Sequence, residues 1–154
     1  LISAEEGDGM ICAYSYFEEI DSPANKDFVA RFKARMGADA PALNELAARS
    51  YEGAYLWAEA VKAAGTADRM PVIEALRSGL GIDGPSGRVD IEPKTNHCNQ
   101  NVYLAELKDQ SFNIIESYES QPPTDTLMVC DLVADPNQSV FKFENGLKAA
   151  GIDI

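Results

Sequence analysis

The sequence has 154 residues, of which 45% are hydrophobic and 25% are charged, and its formal net charge is −12. This composition is typical of a folded domain with a buried core and excludes a disordered chain. The acidic balance argues against nucleic acid as a partner, because a phosphate backbone needs a basic face. No apolar run reaches the length of about 18 residues that a membrane-spanning helix needs.

The N-terminal segment does not resemble a secretory signal peptide. Residue 1 is Leu, and the first ten residues are acidic, with neither the basic nor the apolar region of such a signal. We therefore expect that the chain begins after processing or inside a longer protein.

The first predicted element is a strand over residues 9–17, GMICAYSYF. Both of its faces are mostly apolar, with Met10, Cys12, Tyr14 and Tyr16 on one and Ile11, Ala13, Ser15 and Phe17 on the other. Such a strand is usually covered on both sides, as in an α/β sheet.

Three helices are predicted next. The first begins with Ser22 as N-cap and Pro23 in the first turn, and it ends at Gly37. Its predicted buried stripe is Phe28, Val29, Phe32 and Met36. The second spans about 44–64, between Asn44 as cap and Gly65, with an apolar stripe formed by Ala47, Tyr51, Ala54, Ala58 and Val61. The third spans about 68–79, with Pro71 tolerated in its first turn.

After residue 80 the periodicity changes to that of strands. A turn is predicted at 84–87, followed by a short strand at 88–91. Residues 102–107 and 112–115 predict a hairpin with the four-residue loop 108–111. Residues 127–130 predict one more strand, and about 137–149 predict a terminal helix.

The predicted elements do not form a complete domain, because one buried strand and three helices do not close an α/β layer. The pieces YFEEIDSPAN, GPSGRV and TNH, with their spacing, resemble the C-terminal part of type I periplasmic binding proteins over residues 9–118. Within that family the sequence is most similar to the branch that binds urea and short-chain amides. This branch includes a cytoplasmic amide sensor that controls amidase expression.

The resemblance implies an α/β fold of two Rossmann-like lobes, joined by three chain crossings, with the ligand held between them. Residues 1–17 would then form the last strand of the second lobe and the hinge. Residues 18–92 would supply helices packed on the first lobe, and residues 93–120 the return crossing and hairpin of the second. Residues 121–154 would form a C-terminal tail.

The candidate ligand-binding residues are Tyr14, Tyr16, Leu43 and Asn44. The two tyrosines end a strand at a crossing, although packing at a sheet edge is an equally good interpretation. Leu43 and Asn44 begin the long helix, which often faces the cleft in this fold, although capping alone explains Asn44. The resemblance implies that most ligand contacts come from an N-terminal half that this sequence does not cover.

No catalytic residue, metal ligand or cofactor is predicted. His97 and Cys98 are adjacent in an extended segment, so their side chains point to opposite faces and make a poor base and nucleophile. We expect the TNH turn to hold the chain by side-chain hydrogen bonds. A solvated acidic loop explains Glu18 and Glu19 better than a general acid and base pair does.

The three cysteines, Cys12, Cys98 and Cys130, are odd in number and widely spaced. This spacing predicts neither a metal site nor a disulfide framework. Unpaired cysteines favour the cytosol, whereas most members of the resembled family are exported, and we therefore expect a periplasmic or extracytoplasmic location.

Three functions compete. The first is a solute-binding protein that delivers urea or a short-chain amide, or a related small amino compound, to the permease of an ATP-driven (ABC) importer by lobe closure. The second is a cytoplasmic amide sensor that acts on a regulatory partner protein. The third is an amidase-type enzyme, which we rank last because this sequence supplies no nucleophile, base and orienting group together.

Overall fold

The computed structural model of the chain describes residues 3–138. These residues form a mixed α/β structure with an open sheet, which confirms the predicted fold class. The elements in chain order are α1 (Ala4–Gly7), β1 (Ile11–Tyr14), α2 (Pro23–Met36), α3 (Glu45–Ala64), α4 (Arg69–Arg77), β2 (Gly81–Gly84), β3 (Gly87–Ile91), β4 (Cys98–Lys108), β5 (Ser111–Gln121) and α5 (Thr124–Leu127). None of the helices in the described residues is both long and apolar enough to cross a membrane.

The sheet is built around β4. β4 and β5 are its longest strands, with 11 residues each. All of its strand pairs are antiparallel, and the strand order is β1-β4-β3-β2, with β5 also paired to β4. Tyr14 at the end of β1 lies opposite Tyr103, whereas Ile91 at the end of β3 lies opposite Cys98. β1 and β3 therefore pair with different parts of β4, and the helices α2, α3 and α4 follow one another between them in the chain.

The strand predicted at 9–17 is shorter than expected and is not covered on both faces. β1 ends at Tyr14, and both Ile11 (64% exposed) and Tyr14 (51% exposed) reach solvent. The prediction of two covered faces is wrong for the described structure, because packing partners for these side chains are not determined by alternation within the strand. The buried aromatic residues come just after the strand, at Tyr16 and Phe17.

Helix α2 begins and ends where the sequence predicts. Ser22 is the N-cap, and its side chain accepts a hydrogen bond from the Asn25 backbone N–H. Gly37 ends the helix with φ at 85°, a conformation that favours glycine. Phe28 is buried and Val29 and Phe32 are partly buried, as predicted, but Met36 in the last turn is 55% exposed.

Helix α3 also has the predicted caps, Asn44 at the start and Gly65 at the end. Its buried face differs from the predicted stripe: the buried residues are Ala48, Glu52, Leu56 and Ala60. The predicted stripe lies beside them, with Tyr51 partly buried and Ala54 exposed. The buried face was missed because it contains Glu52, a charged residue that pairs with Arg49 on the same helix and accepts two hydrogen bonds from Ser86, far along the chain.

The predicted hairpin is present with a shorter loop and longer strands, and the turn predicted at 84–87 joins two strands of a second hairpin, of which β2 was not predicted. β2 and β3 are joined by Pro85 and Ser86, within the turn predicted at 84–87. β4 and β5 are joined by Asp109 and Gln110, which have φ values of 49° and 61°. Positive φ at both loop residues is typical of a two-residue hairpin turn, so the predicted loop 108–111 is two residues too long.

After β5 the chain forms a short helix and a turn, and the predicted strand is not observed. Leu127 ends α5, and the residues up to Cys130 continue as turn, with the Cys130 N–H donating to the Thr126 carbonyl at 2.9 Å. The strand predicted at 127–130 is therefore wrong. The helix predicted at about 137–149 lies outside the described residues apart from its first two positions.

The core lies where β1 runs into α2 and where α3 begins. Its buried members are Tyr16, Phe17, Ile20, Phe28, Leu43, Ala48, Tyr103 and Ala105. They come from the segment after β1, from α2, from α3 and the loop before it, and from β4. The core therefore supports the segment that connects the sheet to the helices.

Candidate functional site

The four candidate residues, Tyr14, Tyr16, Leu43 and Asn44, line one open cleft with a volume of about 520 Å³. This volume is within the range of about 300–1,000 Å³ that is usual for small-molecule sites. The other lining residues are Phe17, Glu18, Glu19, Ala42, Glu45, Leu46, Gln110 and Phe112. Three segments meet here: the connection after β1, the start of α3, and the hairpin between β4 and β5.

The two tyrosines have different environments. Tyr14 is 51% exposed, and its ring meets Phe17 edge-on with 5.9 Å between the ring centroids. Tyr16 is only 2% exposed, and its ring meets Phe28 edge-on at 6.3 Å. Tyr14 is thus an accessible wall of the cleft, whereas Tyr16 is largely part of the core beneath it. Contact of either side chain with a ligand stays a prediction.

Asn25 organises the segment between β1 and α2. Its buried side chain accepts a hydrogen bond from the Tyr16 hydroxyl at 2.9 Å. Its amide nitrogen donates to the carbonyl oxygens of Glu18 at 2.8 Å and of Ile20 at 2.9 Å. Burial raises the pKa of the Tyr16 hydroxyl, and the nearby Glu18 carboxylate raises this pKa further. Tyr16 therefore stays a neutral hydrogen-bond donor.

Glu18 holds the loop before α3 and is not the freely solvated acid that was expected. One carboxylate oxygen accepts a hydrogen bond from the Leu43 backbone N–H at 2.7 Å, and the other pairs with Lys33 of α2. The Glu18 side chain is only 19% exposed. Asn44, next to Leu43, caps α3 by accepting from the Ala47 N–H at 3.0 Å. Capping thus occupies the Asn44 oxygen, and its contact with a ligand stays a prediction.

Ser15, between the two tyrosines, is held by two residues of α3 one turn apart. Its backbone N–H donates to Glu45 at 2.8 Å, and its hydroxyl also bonds to the same carboxylate oxygen. Arg49 donates to the hydroxyl oxygen of Ser15 at 2.9 Å and to its carbonyl oxygen at 3.0 Å. The cleft wall at Tyr14 is therefore fastened to the first turns of α3.

A buried carboxylate continues this polar cluster away from the cleft. Glu52 is 1% exposed and pairs with Arg49 at 2.8 Å. Its other oxygen accepts from the Ser86 backbone N–H at 2.8 Å and from the Ser86 hydroxyl at 2.6 Å. This cluster was not predicted from the sequence. The available signal was the position of Glu52, which lies four residues after Ala48 and four before Leu56 and therefore shares a helix face with them.

The glycines of the GPSG turn fit this cluster closely. A Cβ on Gly84 would lie 2.5 Å from the Glu52 carboxylate, and one on Gly87 would lie 2.2 Å from the Asn101 amide. Gly87 also has a φ of 97°. The two glycines therefore allow the turn to approach α3 and β4 at distances that a larger residue would prevent.

His97 and Cys98 lie outside the cleft lining and are exposed. The TNH turn is held by side chains as expected: Thr95 Oγ1 accepts from the His97 N–H at 3.2 Å, and Asn96 accepts from Arg77 at 2.7 Å. All three cysteines have free thiols. In the part of the chain that the structure describes, no group of three or more His, Cys, Asp and Glu side chains could hold a metal ion.

The cleft wall is suited to contact with a small molecule. Tyr14, Leu46 and Phe112 offer aromatic and aliphatic surface above the buried Phe17, while carboxylate and amide groups stand beside them. Among the described residues that line the cleft, none is a cysteine, a histidine or a serine. The wall therefore combines apolar surface with a few polar groups, as binding sites usually do.

The sequence model of the family described as periplasmic binding protein matches residues 2–111. The chain belongs to the periplasmic binding protein family. The predicted type I fold is thereby supported, and the described residues form part of it. The match includes β1, the three long helices and the hairpin loop, and therefore every lining residue of the cleft except Phe112.

Similar proteins are considerably longer than this chain. A solute binding protein of an ABC transporter from Rhodopseudomonas palustris HaA2, solved with p-hydroxybenzoic acid, is 33% identical with a TM-score of 0.66; the match covers 77% of this chain and 33% of that one. A "Leu/Ile/Val-binding protein homolog 6" from Brucella abortus is 30% identical over 64% of this chain and 25% of its own length. A "Limonene hydroxylase" from Geobacillus stearothermophilus is 29% identical over 80% of this chain and 22% of its own length. The chain thus spans about a quarter of the curated relatives.

Proposed function

We propose that the chain forms one wall of the ligand cleft of a solute-binding protein that works with an ABC importer. The observation that carries this proposal is the convergence of Tyr14, Leu43 and Asn44 with exposed apolar side chains on one open cleft. Family membership supports the same conclusion. A periplasmic or extracytoplasmic location belongs to this proposal, because such a protein meets its ligand outside the cytoplasm.

The proposed mechanism is closure of two lobes on the ligand, with an opposite wall supplied by the N-terminal part of a longer protein. In that arrangement residues 1–17 belong to the second lobe and hinge, residues 18–92 pack on the first lobe, and residues 93–120 return to the second. A ligand shifts the open and closed states only by its preference for one of them. The chain by itself is therefore expected to bind ligand weakly, because one wall leaves the polar groups of the ligand in water.

The proposed ligand is a small organic molecule with an apolar or planar body. Exposed side chains at Tyr14 and Leu46 (76% exposed) support this proposal, since apolar surface of this kind is better matched by an apolar or planar ligand than by small, polar urea. The R. palustris relative was solved with an aromatic acid, and the Brucella relative is named for branched-chain amino acids. Urea and short-chain amides stay the narrower prediction, and it rests on the motif resemblance alone.

We propose binding in preference to catalysis for this cleft. Among the described residues of the lining there is no serine or cysteine that could act as the nucleophile of an amidase-type site beside the three glutamates. The two transport relatives support the proposal, while the name of the third similar protein denotes an enzyme. A cytoplasmic amide sensor stays an alternative to the proposed solute-binding protein. The two differ in location and partner, and both would bind a ligand in this cleft.

The test is calorimetry on the full-length gene product that carries this sequence. The ligand panel is p-hydroxybenzoate, leucine, acetamide and urea. Tyr14→Ala is expected to weaken binding about tenfold, or about 1.4 kcal/mol, while leaving the unfolding midpoint nearly unchanged because the side chain is half exposed. Tyr118→Ala is the matched control, since Tyr118 is 42% exposed on β5 and is not among the residues that line the cleft.

The outcomes separate the alternatives. Binding of the aromatic acid or leucine supports the proposed ligand class, whereas tight binding of acetamide or urea alone would support the narrower prediction in its place. Equal affinities of the Tyr14→Ala and Tyr118→Ala variants would show that this cleft is not the ligand site.

A further inference from the structure

Arg49 lies outside the cleft lining, yet its guanidinium holds the backbone that carries the two cleft tyrosines. Its Nε donates to Ser15 Oγ at 2.9 Å, and its Nη2 donates to the Ser15 carbonyl oxygen at 3.0 Å. Ser15 is 4% exposed and lies directly between Tyr14 and Tyr16. A single planar group thus binds both the side chain and the main chain of this residue.

The opposite side of the guanidinium is fixed by buried partners. Arg49 Nη1 donates to Glu52 at 2.8 Å and to Ser86 Oγ at 2.9 Å. Glu52 and Ser86 are 1% and 0% exposed, and Glu52 is further held by two hydrogen bonds from Ser86. Because the guanidinium is rigid and planar, fixing one of its edges also fixes the edge that faces Ser15.

The anchor extends from Ser86 into the sheet. The Tyr103 hydroxyl of β4 donates to the Ser86 carbonyl oxygen at 2.9 Å. Asn101 donates to the Tyr103 hydroxyl at 3.1 Å and accepts from the Ser120 backbone N–H of β5 at 2.9 Å. The polar cluster that begins at Ser15 therefore reaches two neighbouring strands, which gives Arg49 a fixed frame.

We propose that Arg49 is a positioning residue for the cleft. It holds Ser15 and thereby fixes Tyr14 and Tyr16 relative to the start of α3, without contacting the ligand itself. The expected effect on ligand affinity rests on the proposed function, whereas the expected effect on the order of the Ser15 segment does not.

The test variant is Arg49→Lys. A lysine keeps a positive charge beside buried Glu52, which avoids leaving that carboxylate without a counter-ion. It cannot bond to Glu52 and to both oxygens of Ser15 at once, because its donors sit on one ammonium. Amide hydrogen exchange of Ser15, measured by NMR, is expected to become about tenfold faster than in the wild type. Ligand affinity in the full-length gene product is expected to fall about tenfold.

Val72→Ala is the control for a general loss of stability. Val72 is 5% exposed in α4, and replacing it opens a cavity without removing a bond to Ser15. This variant is expected to lower the unfolding midpoint while Ser15 exchange under native conditions and ligand affinity stay near wild type.

Unchanged Ser15 exchange in Arg49→Lys would overturn the positioning role, whatever the protein binds. Equal losses of affinity in Arg49→Lys and Val72→Ala would also overturn it, since stability alone would explain both. If the wild-type gene product binds none of the panel ligands, the proposed function fails, and the exchange measurement still decides the role of Arg49.

Discussion

Replacing Asn25 with alanine is expected to destabilise the protein by about 3 kcal/mol, because one hydrogen bond contributes about 1 kcal/mol net and three would be lost. Asn25 is 1% exposed, and its side chain bonds to the Tyr16 hydroxyl and to the carbonyl oxygens of Glu18 and Ile20, at 2.8–2.9 Å. Alanine would leave all three partners without this side chain, in a segment that has little access to water.

The Tyr16 bond can be measured separately. Tyr16→Phe keeps the ring against Phe28 and removes only the hydroxyl. The cost is expected to be about 1–3 kcal/mol, because the Asn25 side-chain oxygen is then buried without this donor. In the double variant the two losses should not add, and the coupling should be about 1 kcal/mol, since both changes remove the same bond.

Urea unfolding followed by circular dichroism measures these differences, provided that the denaturant dependence is the same for each variant. Asn113→Ala is the matched control, because Asn113 is an exposed asparagine of β5 and a surface change usually alters stability by less than about 0.5 kcal/mol. Equal stability of Asn25→Ala and Asn113→Ala would refute a stabilising role of the three Asn25 hydrogen bonds.

Two glycines and one acid give further predictions. Gly84→Ala should destabilise the protein by about 1–3 kcal/mol, because its Cβ would lie 2.5 Å from the buried Glu52 carboxylate. Gly53→Ala should stabilise the protein by up to about 1 kcal/mol, because Gly53 lies in the middle of α3 and an added Cβ would meet no atom within 4 Å. Thermal unfolding of the two variants measures both effects. If both variants were stabilised, or both destabilised, the prediction from these Cβ distances would be contradicted. The pKa of the Asp131 carboxyl is lowered mainly by the hydrogen bond from the Ala134 N–H, and also by Lys94. The ionised carboxylate therefore stabilises the folded state above the unfolded pKa of about 3.9, and this stabilisation is lost as pH falls through the folded pKa. An NMR titration should therefore give Asp131 a midpoint below about 3.9, and an ordinary or higher midpoint would contradict this prediction.

Helix boundaries were predictable because their causes are local. Ser22 and Asn44 each accept a hydrogen bond from the N–H three residues later, and Gly37 and Gly65 end their helices with positive φ. Such interactions depend on a few consecutive residues. Residues 127–130 show the limit of local patterns, since their short apolar run predicts a strand, whereas Leu127 ends a helix and the chain continues as turn.

The sequence grouped part of the cleft lining, whereas contact of these residues with a ligand stays a prediction. Tyr14, Tyr16, Leu43 and Asn44 do line a common cleft, and the order of strand, turn and helix was enough to group them. Their environments could not be derived in the same way. Tyr14 and Tyr16 have the same side chain two positions apart, yet one is half exposed and the other is buried against α2, because β1 ends between them.

By itself the sequence determined the class of fold, the family and the ends of the long helices, because these follow from periodicity, motifs and contacts between near neighbours. Only the tertiary structure decided which face of α3 is buried. Glu52 is stable inside the protein because Ser86, 34 residues further along, donates two hydrogen bonds to it and Arg49 supplies the opposite charge. Arg49 is three residues away on the same helix, whereas only the folded chain brings Ser86 to Glu52.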